Sequence, residues 1–112
     1  INALKDFDKI ILPTIPKDCE SAMHLFTIRV KDKTKRDKFI YELQQQDIPV
    51  AVNFNPIHLF DIYRKMFGYK LGDFPNAEIF GSSTITLPFY PALAQSDFEK
   101  IINAIERAHK IL

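Results

Sequence analysis

The sequence predicts an α+β fold: a two-layer domain with helices packed on one face of a short, mainly antiparallel sheet. Three observations lead there. Three stretches alternate apolar and polar residues with the period of a half-buried strand. Three others repeat apolar residues at the spacing of an amphipathic helix, and Pro75 marks the start of a fourth helix. The apolar residues of the strand-like stretches also fall on one side, leaving a polar side opposite. The order along the chain is β-α-β-α-α-β-α.

Each element has its own justification. Residues 1–22, with Pro13, Pro16 and the polar "KDCES", read as a lead-in segment. "HLFTIRV" then places Phe26, Ile28 and Val30 on one face and Thr27 and Arg29 on the other. Thr34 is an N-cap candidate for a helix carrying Phe39, Ile40 and Leu43, with Asp47 at the left-handed position beyond its end. "IPVAVNF" alternates again, with Val50, Val52 and Phe54 opposed to Ala51 and Asn53. Leu59, Ile62, Tyr63 and Met66 form a short helical stripe closed by Gly68, and Pro75 suits the first turn of a helix through Phe80. "TITLP" supplies a third strand with Ile85 and Leu87 inward. Ser96 to Glu99 reads as a capping box for a last helix whose buried stripe is Phe98, Ile101, Ile102, Ile105 and Leu112. The polar sheet face, with Thr27, Arg29, Asn53, Thr84 and Thr86, is expected to be open.

Composition narrows the function classes. With 46% hydrophobic residues and ten Phe, the 112 residues can build one real core. A net charge of +1 gives no bulk attraction to nucleic acid or an anionic membrane, and neither is expected as a partner. No apolar run reaches the roughly 20 residues that span a bilayer, and the opening "INALKDFDKI" lacks the form of a signal peptide. The single cysteine, Cys19, fits a reducing, cytoplasmic setting. Starting at Ile1 without methionine, the chain is expected to be processed or part of something longer.

No complete catalytic apparatus is visible. His24, His58 and His109 lie far apart and lack the spaced Cys or carboxylate company of a metal site, so no metal is expected. Cys19 has no base beside it. The basic run Lys31, Lys33, Lys35, Arg36 and Lys38 is diluted by Asp32 and Asp37 and reads as a solvated helix start. Asp61, Asp73 and Glu78 could pair for acid–base work, although Asp73 equally suits a helix entrance. The corner "VNFNPIHL" stands out. Pro56 stiffens it and biases Asn55 to an extended shape, while Asn53, Asn55 and His58 offer hydrogen-bonding tips. That arrangement fits half of a shared site, and it fits equally a histidine capping the next helix.

In order along the chain, "HLFTIRV", "RDKFIYEL", "IPVAVNFNPIHLFDIYRKMFGY", "GDFPNAE" and "STITLPFYPAL" resemble the C-terminal part of the DegT/StrS-type sugar aminotransferases. These are enzymes of the aspartate-aminotransferase fold that depend on pyridoxal phosphate (PLP). The resemblance implies a parent that transfers an amino group, usually from glutamate, to a nucleotide-linked keto-sugar in surface polysaccharide or glycan biosynthesis. It implies a division into the lead-in, residues 1–22, from a large domain and a small C-terminal domain, residues 23–112. It further implies a homodimer with the active site between large and small domains.

Carried over by position, the family's substrate-bordering loop places its second histidine at His58, its proline at Pro56 and its aromatic residue at Phe54. The tyrosine of the next helix is Tyr63, and Asn53 replaces the first histidine. The expected substrate-binding residues are therefore Asn53, Phe54, His58 and Tyr63, with no catalytic, cofactor-binding or metal-binding residue in these 112. The Schiff-base lysine belongs to the family's large domain, so the chain alone is expected to be inactive and free of PLP. The rival expectation is a stand-alone small-ligand-binding or regulatory module of the same architecture.

Overall fold

The computed structural model describes residues 2–22 and 24–112. Its three-stranded antiparallel sheet runs in the order β1 (Ile10–Ile11), β2 (Phe26–Val30), β3 (Thr84–Leu87). Ile10 pairs with Val30, and Phe26 to Arg29 pair with Leu87 to Thr84. Four helices accompany it: α1 (Arg36–Gln44), α2 (Asp61–Phe67), α3 (Pro75–Ser83) and α4 (Gln95–His109). The fold is α+β, as the patterning predicts.

The core lies between one sheet face and helices α1 and α4. Ile28, Val30 and Ile85 meet Phe39 and Leu43 of α1 and Ile105 of α4, and each of these side chains is essentially fully buried. Burying a side chain of this kind contributes about 1.5–3 kcal/mol. The lead-in contributes too: Leu4 and Ile10 are in the same core. Residues 2–11 are thus packed into the sheet layer, and β1 covers the edge of β2.

Several expectations change on contact with the structure. The alternating run at 50–54 forms one bridge, Ala51 with Thr86, in place of a strand. Both backbone bonds of that pair are made, at 3.1 and 2.7 Å, before the chain turns toward Pro56. The Asn53–Phe54 peptide is cis. The polar sheet face is not open, because Thr84 and Thr86 are buried. The 51–54 segment lies along β3, and α3 reaches over β2, where Phe80 stacks on Arg29 with the guanidinium carbon 4.9 Å from the ring centre. The stripe on α2 is likewise exposed: Ile62 and Met66 face outward, since α2 packs chiefly against the turn Ile57–Leu59.

Helix ends follow a similar pattern of local agreement and difference. Asp32, not Thr34, is the cap after β2, its carboxylate accepting from the Thr34 N–H at 3.0 Å and from the Thr34 hydroxyl. The helix α4 starts from Ala94 with no side-chain cap, so the Ser96–Glu99 box does not form. Phe98 is accordingly more exposed than its stripe position implies. Gly68 and Asp47 do take the left-handed conformation beyond α2 and α1, and Pro75 opens α3.

Candidate functional site

The corner between Ala51 and α2 builds the site. Pro56 leads into a turn at Ile57–Leu59, and His58 in that turn is directed inward, 7% exposed. Its Nε2 lies 2.8 Å from Oε1 of Glu78 in the first turn of α3. The same oxygen accepts from the backbone N–H of Gly72 at 2.8 Å and of Phe74 at 3.4 Å. His58 therefore anchors α3 and its preceding loop, and does not cap α2, whose N-cap position is Phe60 without a side-chain bond. Partial burial pushes the Glu78 carboxyl up, but the Gly72 N–H, His58 and the Phe74 N–H outweigh it, leaving it below the ordinary glutamate range.

Aromatic rings continue from this anchor. His58 sits 4.8 Å from Phe74, Phe74 meets Tyr69 edge-on at 5.3 Å, and Tyr69 lies 5.5 Å from Phe67. Phe67 in turn stacks on Tyr63 at 6.3 Å. Together with Phe54, Pro56 and Phe80 they line an open cleft of about 630 Å³. That volume suits a ligand of drug or nucleotide size. The aromatic faces can stack on a flat or apolar ligand surface, while Asn55, His58, Tyr63 and Tyr69 supply polar tips. A smaller cavity of about 260 Å³ beside Phe26, Phe89 and Ile105 has Tyr90 as its one polar side chain, so it offers little to orient a ligand.

Of the four expected substrate-binding residues, the structure brings Phe54, His58 and Tyr63 to one cleft. Asn53 stands apart from them. Its Nδ2 donates to the Thr86 hydroxyl at 3.1 Å, which lies 3.4 Å from the hydroxyl of Thr27 across the strands. Sequence reasoning placed Glu78 among the carboxylates but not beside His58, and it missed the rings of Phe67, Tyr69, Phe74 and Phe80. An acid one turn after "GDFP" was the available signal, because a carboxylate there reaches back to free N–H groups at the helix start.

Cofactor fit can be judged from the same geometry. Holding PLP covalently needs an enclosed lysine, with a carboxylate at the ring nitrogen and donors around the phosphate. No lysine lines the cleft, and none of the chain's lysines is buried. The residues present do not fit that group. Among the described residues, no three metal-ligating side chains gather, and no helix is long and apolar enough to cross a membrane.

Residues 1–106 match the model of the DegT/DnrJ/EryC1/StrS aminotransferase family. The chain belongs to this family. An uncharacterized protein of Methanocaldococcus jannaschii is 42% identical over 106 residues, covering 92% of this chain and 28% of the relative. A dTDP-3-amino-3,6-dideoxy-alpha-D-galactopyranose transaminase of Aneurinibacillus thermoaerophilus is 30% identical over 99 residues, covering 88% and 26%. A Streptococcus pneumoniae protein assigned as a sugar aminotransferase, solved in PLP and PMP forms, superposes with a TM-score of 0.87. It is 24% identical and covers 98% of this chain and 28% of its own, a likeness of fold. The chain thus spans little more than a quarter of the length of these family members.

Proposed function

We propose that this chain is the small C-terminal domain of a PLP-dependent aminotransferase that moves an amino group, from glutamate, onto a nucleotide-linked keto-sugar. The observation that carries the reading is the meeting of Phe54, His58 and Tyr63, expected from the family pattern, in one aromatic cleft. The transaminase activity of the Aneurinibacillus relative on a dTDP-linked amino sugar supports a nucleotide-linked sugar as the substrate class. In the whole enzyme, a large domain of the same chain holds PLP and supplies the Schiff-base lysine, and two copies form a homodimer. Residues 1–22 connect to that large domain, with Leu4 and Ile10 already packed in the core of the small one. The enzyme works in the cytoplasm, in surface polysaccharide or glycan synthesis.

Within that enzyme, these residues close the sugar side of the active site. Phe54 and Tyr63 bound the cleft, and His58 offers a hydrogen-bonding edge. Asn53, bonded to Thr86, holds the corner against β3 and meets the sugar only if that bond opens. Because no residue of the cleft fits PLP, no chemical step is assigned to this chain.

The test is to express the whole gene product and assay amino transfer from glutamate to a panel of nucleotide-linked keto-sugars. Activity is expected, with His58→Ala and Tyr63→Ala raising KM for the sugar nucleotide by about tenfold, the loss of roughly one hydrogen bond to substrate. Absence of transfer across the panel, or an unchanged KM in both variants, would overturn the proposal. The 112 residues alone, mixed with PLP, are expected to give no borohydride-fixed adduct; a stoichiometric adduct on one lysine would contradict that division of labour.

A further inference from the structure

The state of the His58 ring follows from what holds it. Glu78 Oε1 is already the acceptor for two backbone N–H groups, from Gly72 and Phe74, and those donors favour the ionised carboxylate. A carboxylate can only accept, so the ring nitrogen 2.8 Å away must bring the hydrogen. In the neutral imidazole one nitrogen carries the hydrogen, and a donor at Nε2 leaves Nδ1 with a lone pair. Nδ1 makes no hydrogen bond among the described residues, and it is not one of the enclosed polar atoms left without a partner. The ring borders the cleft.

We propose that Glu78 is a positioning residue: it locks neutral His58 as the Nε2–H tautomer, so that Nδ1 meets the cleft as a hydrogen-bond acceptor. While the ring is neutral, a ligand at this corner must present a donor, such as a sugar hydroxyl or an amino group. A carbonyl, phosphate or carboxylate oxygen placed there would face a lone pair. That consequence for the ligand rests on the nucleotide-sugar reading of the cleft; the tautomer does not.

A long-range 1H–15N spectrum of the 112-residue chain at mildly alkaline pH reads the ring directly. His58 is expected to show Nε2 in the N–H range and Nδ1 in the lone-pair range. In Glu78→Gln, whose amide can donate as well as accept, both nitrogens are expected to move toward the averaged values of exchanging tautomers. An Nδ1–H tautomer or averaged shifts in the unaltered chain would overturn the proposal, as would a Glu78→Gln spectrum identical to it. If Glu78→Gln does not fold, the unaltered chain still decides, since its tautomer alone separates the two outcomes. A locked tautomer with no sugar-nucleotide turnover in the whole enzyme would defeat the functional reading and leave the positioning role standing.

Discussion

Glu78 takes three donors on a single carboxylate oxygen, and that makes it the titratable group with the clearest bearing on stability. Its folded pKa lies below the ordinary 4.5. A group depressed on folding stabilises fully above its unfolded pKa and loses that contribution as the pH falls through the folded value. Urea-unfolding midpoints are therefore expected to fall through the acid range, and Glu78→Gln should be less stable near neutrality with a flatter acid limb. A parallel acid limb in the variant would show that other carboxylates dominate. At this scale the sequence was half legible. Pro56 announced a held histidine, but the holder lies twenty residues away, and nothing in local spacing points across that distance.

At the scale of elements, α3 crosses the corner closely at Gly81. A Cβ there would lie 2.6 Å from Cδ of Pro56 and 3.1 Å from the Phe54 carbonyl oxygen. Gly81→Ala is expected to cost about 1–3 kcal/mol, the usual range for overpacking, and to loosen the Phe54 side of the cleft. Thermal unfolding measures the first, and 1H–15N shifts of residues 54–58 the second. Arg36 braces the far end of α3, its Nη1 donating to the carbonyls of Gly81 and Thr84 at 3.5 and 3.4 Å. The sequence showed α1, α4 and β2 because burial imposed their periods, and α3 because Pro75 marks its first turn. It overstated the strand at 50–54, since alternation reports which way side chains point and not whether a backbone partner runs alongside. It also missed β1, because a strand of two residues, Ile10 and Ile11, has no period to detect.

For the molecule as a whole, two surfaces of opposite character coexist. The core is closed around Phe39, and Phe39→Ala is expected to cost about 3–5 kcal/mol by denaturant titration. Outside it, Phe54, Ile57, Ile62, Met66, Phe67 and Leu71 are all more than half exposed, a run of apolar surface unusual for a lone domain. The isolated chain is expected to self-associate, and Ile62→Glu with Met66→Lys should shift it toward monomer in sedimentation velocity. A unaltered chain that stays monomeric at high concentration would count against a sticky surface there. Which apolar stripe would be buried was not legible, because the pattern of α2 is as regular as that of α1 and only their neighbours differ.

The pairing of Ile10 with Val30, together with Leu4 in the core, bears on how such domains can be recombined. A chimera that joins a foreign large domain at residue 23 would strip the outer edge of β2 and remove two core side chains at once, worth about 1.5–3 kcal/mol each. The bared edge would then be a template for pairing with other chains. A junction placed ahead of Asn2 carries edge and core along, so the transplantable module includes the very residues that look like a tether.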